Sequence, residues 1–280
     1  MRGAAYAGLV MVLALSGCDD VTSYTSAAEK IRRTRTAVIG TKWDQPGIGW
    51  KAGFSAPQGF DVDVARYIVG RLAGGQVKIT WRESASSQRE ALLQNGTVDL
   101  VVASYSITPA RTTRVTFAGP YVISPQDTLV RADDRRITST SDLAGKRICL
   151  AEGSNSYRRI TDPPPDGLLD LPATLVKASN YSDCVRKLAA GRLDAVSTES
   201  FVLAGYADQD PGKFRLLNDP VSIEYYGVGI RKGDLATCQA VNQAITRMWR
   251  DGTATRLLRK WFGKTGLDLP TSMPRLQSCR

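Results

Sequence analysis

The chain has 280 residues, with 37 Lys and Arg against 27 Asp and Glu, a formal net charge of +10, and no histidine at all. The missing histidine excludes Ser-His-Asp and Cys-His catalysis, histidine-ligated zinc and histidine proton shuttles together, leaving any acid–base work to Lys, Glu or Arg. The positive excess suits anionic ligands or lipids, and no run of five like charges marks a nucleic-acid tail.

The chain opens with Arg2, an apolar run from Ala4 to Leu15, and then Ser16-Gly17-Cys18. One positive charge, a short hydrophobic stretch and small residues ahead of a cut describe a secretory signal over residues 1–17, too short to span a bilayer. The ending Leu15-Ser16-Gly17-Cys18 resembles the lipobox of bacterial lipoproteins, which implies a lipidated Cys18 as the new N-terminus. A plain signal peptide that happens to carry a cysteine is the alternative. Removing residues 1–17 deletes only Arg2 and leaves a net charge of +9. Residues 18–34 are polar and lack apolar periodicity, so they read as a flexible, lipid-anchored tether. Secretion argues against a nucleic-acid partner.

From residue 36 onward, short apolar strands alternate with helical segments. A strand is expected at 36–41, a helix at 60–73, a strand at 76–82, a helix at 87–95 and a strand at 98–104. Strands follow at 127–132, 146–151 and 173–178, then a helix at 181–190, a strand at 194–198 and a helix at 199–207. A strand at 226–231 and helices at 234–251 and 253–262 complete an α/β pattern. Gly96 and Gly191 each stand where a helix closes on a C′ glycine. Asp162-Pro163-Pro164-Pro165-Asp166-Gly167 reads as a stiff surface excursion.

A faint repeat links Ala91-Leu92-Leu93-Gln94-Asn95-Gly96-Thr97-Val98-Asp99 to Arg186-Lys187-Leu188-Ala189-Ala190-Gly191-Arg192-Leu193-Asp194. Both run helix, glycine, strand, with an aspartate opening the strand. Two similar lobes explain it; so does a common αβ turn used twice. The chain is also near the length at which one core divides into two.

The most informative stretch is Gly59-Phe60-Asp61-Val62-Asp63-Val64-Ala65-Arg66-Tyr67-Ile68-Val69-Gly70-Arg71-Leu72. Asp61 and Asp63 complement the positive start of a helix, and Val64, Ile68 and Leu72 recur at helical spacing. A well-capped surface helix accounts for that much. The whole pattern, however, resembles the signature of the bacterial extracellular solute-binding proteins of family 3, the polar amino-acid receptors of ABC importers. The likeness runs from about residue 35 to 263. It implies an α/β, two-lobed type II periplasmic-binding-protein fold with the ligand cleft between the lobes. The chain would cross between lobes near 123–128 and 218–224, giving lobe 1 as residues 35–124 with 222–280 and lobe 2 as residues 127–218.

An amino-acid receptor needs donors for the α-carboxylate, an anion for the α-ammonium and a third, selective feature in a dry cleft. Ser104-Tyr105-Ser106-Ile107-Thr108-Pro109-Ala110-Arg111 follows an apolar strand and resembles the family's carboxylate motif, which implies that Ser106 and Arg111 hold the α-carboxylate. Arg111 is suited to this because a guanidinium binds both oxygens at once; a solvated loop charge is the other reading. Ser104 stands where relatives often carry Gly, which puts the backbone contact there in doubt. Asp194-Ala195-Val196-Ser197-Thr198-Glu199 resembles the strand end that places an acid on the ammonium, which implies that role for Glu199, although a carboxylate at a helix start is favourable in its own right. Gly153-Ser154-Asn155-Ser156 sits at a strand-to-helix turn, where N–H groups favour anions, and the resemblance makes Ser154 and Ser156 additional donors.

Lys42, in Thr41-Lys42-Trp43-Asp44-Gln45-Pro46-Gly47, lies near the position where glutamine receptors use an acid. Arg89 corresponds to an arginine that meets the ligand side chain in receptors for acidic amino acids. Together they imply a carboxylate-bearing ligand, and the Lys-aromatic-Asp-Gln-Pro-Gly run resembles actinobacterial glutamate receptors. Solvated surface charges are the alternative at both positions.

Five cysteines are present: Cys18, Cys149, Cys184, Cys238 and Cys279. With Cys18 lipidated, four remain in an oxidising compartment with three possible pairings. Given the lobes implied above, Cys149–Cys184 and Cys238–Cys279 each stay within one lobe, whereas either other pairing would stitch the lobes together. The resemblance thus implies a monomeric lipoprotein on the outer face of the cell membrane, without metal or cofactor. It would bind L-glutamate, or aspartate, for an ABC permease. A cleft enzyme of the cyclohexadienyl dehydratase type, with Glu199 as base, is a second reading, and an amino-acid sensor subunit for a membrane partner is a third.

Overall fold

A computed structural model describes residues 23–165 and 167–279. The secretory signal, Cys18 and residues 18–22 of the expected tether lie outside the described residues.

The remainder of that tether is not an open coil. Ala27–Thr34 form helix α1, whose N-cap Ser26 accepts from the Glu29 N–H. Its first two amides are satisfied by another part of the chain: Ala27 N–H donates to Asp234 Oδ2 at 2.8 Å and Ala28 N–H to Thr237 Oγ1 at 2.8 Å. Only Ile31 is buried, so there was no apolar period to read. The helix is held by buried Ile31, by the Lys30–Asp99 ion pair and by borrowed caps, whose partners are all distant in the chain.

Strand β1 (Thr36–Thr41) is followed by the short pair β2 (Asp44–Gln45) and β3 (Gly49–Trp50), helix α2 (Phe60–Ala73) and strand β4 (Lys78–Glu83). Helix α3 (Arg89–Gln94), the two-residue β5 (Leu100–Val101) and the turn α4 (Pro109–Thr112) lead into β6 (Val115–Arg131). The expected strand 98–104 shrinks to β5 because the backbone leaves the ladder to reach the cleft, with Ser104 at φ +42°. Conversely, β6 runs 17 residues where only 127–132 was expected. Gly119, Pro120 and Pro125 read as turn residues, yet here they lie inside a strand buried on both sides.

The second half holds β7 (Arg147–Ala151), the turn α5 (Arg158–Thr161), β8 (Thr174–Ala178), α6 (Tyr181–Ala189), β9 (Val196–Glu199), α7 (Ser200–Gln209), β10 (Phe214–Leu216) and β11 (Ser222–Arg231). Helices α8 (Leu235–Arg250) and α9 (Thr253–Phe262) return to the first half. Strand β6 joins the halves. Its residues Val115 to Gln126 pair antiparallel with β11, while Gln126 to Arg131 pair with β9 and β10. Gln126 thus faces Ser222 on one edge and Glu199 on the other. Beyond β11 lie β5, β1 and β4, the last two parallel; β7 and β8 form a separate parallel pair.

The sequence repeat has a physical counterpart. Asp99 Oδ2 accepts the Val38 N–H of β1 at 2.8 Å, and Asp194 Oδ2 accepts the Arg147 N–H of β7 at 2.9 Å. Each aspartate caps the first strand of its own half and carries a cation, Lys30 or Arg147. Gly96 and Gly191 take left-handed φ of +68° and +67° at the preceding helix ends.

The two disulfides run within halves: Cys149–Cys184 joins β7 to α6, and Cys238–Cys279 ties the C-terminal tail to α8. Between the halves, Phe201 of α7 stacks on Phe262 of α9 at 4.5 Å, beside Phe60 of α2. Such stacking adds about 0.5–1.5 kcal/mol beyond the area buried.

Candidate functional site

The C-terminal end of β1, the segment after β5, and the turns after β7 and β9 meet in one cleft. All eight side chains expected to hold a ligand come to it, and all but Ser154 are buried. Lys42, Arg89 and Arg111 are 3%, 3% and 8% exposed, so none is a solvated surface charge. Nor does any of the three have an ion-pair partner among the described residues; Glu90, beside Arg89, pairs outward with Arg114 instead.

Each cation is aimed by local hydrogen bonds. Lys42 Nζ donates to Ser86 Oγ at 2.6 Å. Arg89 Nη1 donates to the carbonyls of Ala103 and Ser104 at 3.2 and 3.4 Å, and its guanidinium lies 4.0 Å from the Tyr105 ring centroid. Arg111 Nη1 donates to the Ser106 carbonyl at 2.9 Å and Nη2 crosses the cleft to the Gly153 carbonyl at 3.3 Å. Burial, reinforced by Arg89, lowers the Lys42 pKa to about 7. Burial, then Arg111, lowers Arg89 to about 10. Crowded cations in a dry site favour an anion between them.

The opposite wall is hydroxyl-rich and acidic. Glu199 Oε1 accepts from Ser106 Oγ at 2.9 Å across the cleft, and its Oε2 accepts from Thr198 Oγ1. Burial, then Glu224, raises its pKa. Ser154 Oγ and the Tyr181 hydroxyl lie 2.6 Å apart, the same hydroxyl donates to Ser156 Oγ at 3.1 Å, and Ser156 Oγ lies 3.2 Å from Thr198 Oγ1. Close backbone approach seals the edge: a Cβ on Gly153 would fall 2.3 Å from Ser87 N.

Ser104 uses its polar groups on the protein. Its N–H donates to Asp61 Oδ2 at 2.6 Å and its hydroxyl to Gln45 Oε1 at 2.9 Å. Asp61 does more than complement the start of its helix. It is fully buried, also accepts the Tyr121 hydroxyl at 2.7 Å, and burial raises its pKa to about 6 despite both bonds. It fixes the unusual backbone of Ser104. Sequence reading also passed over Gln45, Thr198 and Tyr181. Gln45 Nε2 is buried with no partner among the described residues, a cost of about 1–3 kcal/mol that a polar ligand atom in reach would offset. Thr198 and Gln45 adjoin residues already singled out, and Tyr181 opens a helix directly after a strand, so position within the α/β pattern was the available signal.

The family model described as bacterial extracellular solute-binding proteins, family 3, matches residues 37–264. The glutamate-binding protein GluB of Corynebacterium efficiens is 37% identical over 274 residues, covering 94% of this chain and 91% of that protein. Among solved structures, an ancestral arginine-binding protein bound to glutamine aligns with a TM-score of 0.73 at 30% identity, over 82% of this chain and 98% of that one. The ancestral amino-acid-binding protein AncCDT-1, a precursor of cyclohexadienyl dehydratase, aligns with a TM-score of 0.73 at 29% identity, over 85% and 99%. The two-lobed architecture is thus the type II binding-protein fold.

Proposed function

The chain belongs to the bacterial extracellular solute-binding proteins of family 3, which are extracytoplasmic, and from that premise we propose that it receives an acidic amino acid, L-glutamate first, for an ABC permease. The observation that carries this reading is the set of three buried cations, Lys42, Arg89 and Arg111, none with an ion pair among the described residues. They face Glu199 across the cleft and outnumber it together with Asp61, which is taken up by Ser104 N–H and the Tyr121 hydroxyl. An α-amino acid with a second carboxylate complements that imbalance, while glutamine would leave Lys42 and Arg89 facing a neutral amide. Arg111 and Ser106 hold the α-carboxylate with Ser154 and Ser156, Glu199 takes the α-ammonium, and Lys42 and Arg89 read the side chain. Ser104 supports the site through its carbonyl bond to Arg89. The chain crosses between lobes at β6 and β11, and Cys18 carries the lipid anchor. The 37% identity to a glutamate-binding protein supports the same ligand.

A thermal-shift panel of the twenty amino acids, followed by calorimetry, tests the reading. Glutamate should rank first with micromolar affinity, about −8 kcal/mol, and aspartate next. Glutamine binding as tightly as glutamate would sink the side-chain assignment. The raised pKa of Glu199 and the likeness to a dehydratase precursor favour one second reading, a cleft enzyme with Glu199 as base. New products after incubation with prephenate-like acids would establish it; their absence leaves a receptor. For the anchor, Cys18→Ser should release the protein from the membrane.

A further inference from the structure

The β2–β3 hairpin makes a contact that the ligand roles above do not use. Asp44, two residues from Lys42, reaches across the cleft to the first turn of α6. Its Oδ2 accepts from the backbone N–H of Tyr181 at 3.2 Å and of Ser182 at 3.4 Å. Its carbonyl oxygen accepts Ser182 Oγ at 2.9 Å and the Tyr206 hydroxyl of α7 at 2.6 Å. Helix α6 already has its own cap in Asn180, which accepts from Asp183 N–H. Asp44 therefore satisfies amides that this cap leaves over, at the positive end of the helix. The hairpin also seats on bare backbone, since a Cβ on Gly205 would lie 2.0 Å from the Pro46 carbonyl oxygen. From the same first turn, Tyr181 extends its hydroxyl to Ser154 and Ser156.

We propose that Asp44, with Ser182 and Tyr206, forms an interlobe clasp: it holds the cleft shut and positions Tyr181 against the two serines, so affinity for every ligand depends on a residue that touches none of them. Apparent affinity scales with the population of the binding-competent form. Weakening the clasp therefore lowers affinity by one common factor and leaves the ranking of ligands alone. The affinity arm of the test rests on the reading of this cleft as an amino-acid site; the shape arm does not.

Two variants separate charge from clasp. Asp44→Ala removes both amide contacts, but Asp44 also supports the charge on Lys42. Tyr206→Phe removes the bond to the Asp44 carbonyl and a 3.3 Å contact with Ser182 Oγ, but no charge. Small-angle scattering of the ligand-free chain should show a larger radius of gyration for Asp44→Ala than for wild type, with Tyr206→Phe between them. Calorimetry with each amino acid that gives a thermal shift should show a loss of about tenfold for Asp44→Ala and about threefold for Tyr206→Phe, equal for all ligands in the Tyr206→Phe case. Unchanged scattering and affinity in both variants overturns the clasp. A Tyr206→Phe loss that differs among ligands also overturns it, because a ligand contact would then be at work. Failure of the glutamate reading changes which amino acid ranks first and not these factors. If no amino acid binds, the scattering arm decides alone.

Discussion

The two walls of the cleft are built from different chemistry and stabilised in different ways. The wall from the first half of the chain presents Lys42, Arg89 and Arg111, each aimed largely by bonds within that half, to Ser86, to the Ala103 and Ser104 carbonyls, and to the Ser106 carbonyl. The wall from the second half presents Ser154, Ser156, Tyr181, Thr198 and Glu199, and meets the first through Ser106–Glu199 and Arg111–Gly153. On the proposed roles, the cations are preorganised on one wall, whereas Glu199 and the two serines come from the other. A ligand bridging the two favours the closed form because its contacts there outnumber those either wall offers alone.

The largest test of that asymmetry is Arg111→Ala. Removing one partner of a buried charge pair costs roughly 3–5 kcal/mol, so binding of every amino acid should weaken by about 10²- to 10³-fold or more, from micromolar towards millimolar. Affinity within tenfold of wild type by calorimetry would mean that the α-carboxylate sits elsewhere. Glu199→Gln should come next. A charge-assisted bond contributes about 1.5–3 kcal/mol, so losses of about ten- to a hundredfold are expected for all α-amino acids. Analogues lacking the α-ammonium should lose nothing; an equal loss for them would break the pairing of Glu199 with the ammonium.

Arg89→Lys should have a smaller and selective effect. The structure gives Arg89 two duties, a cation and a brace for the Ala103 and Ser104 carbonyls, and lysine keeps only the charge. If Arg89 reads the side chain, the ratio of glutamate to glutamine affinity should fall about five- to tenfold, the penalty of losing a bidentate fork. A loss shared equally by both ligands would reduce Arg89 to its bracing role.

The smallest effect should be in pH dependence. Burial lowers the Lys42 pKa from 10.5 to about 7, so between those values the unfolded chain binds the proton and the folded chain does not. Burial of charged Lys42 thus costs stability in full below pH 7, and the cost is relieved as pH rises to 10.5. If Lys42 meets the ligand's side-chain carboxylate, binding keeps it charged. Glutamate affinity should therefore decline by about fivefold from pH 7 to 8, and binding should take up protons, as calorimetry in buffers of different ionisation enthalpy would register. Glutamine should show neither effect, and Lys42→Met should abolish both. A flat glutamate profile would place Lys42 away from the side chain.

Much of the molecule was legible before its coordinates. Helix 60–73 falls at its expected residues because its apolar spacing and its acidic first turn are local signals. The two aspartates of the repeat were equally visible, since each lobe needs the same cap on its first strand. Resemblance supplied the cleft residues, and the structure brings Lys42, Arg89, Ser106, Arg111, Ser156 and Glu199 to one buried place. Helix α1 was hidden because its caps, Asp234 and Thr237, lie some two hundred residues away. The length of β6 was hidden because Gly119, Pro120 and Pro125 signal turns unless strands on both sides hold them. The sequence by itself determined the alternation of elements, the chemistry available to the cleft and its family. Tertiary structure alone decided that Asp61 fixes Ser104, that Asp44 reaches α6 and that Tyr181 joins the serines. Those are contacts between residues far apart in the chain, and no local propensity encodes a partner that only packing brings near.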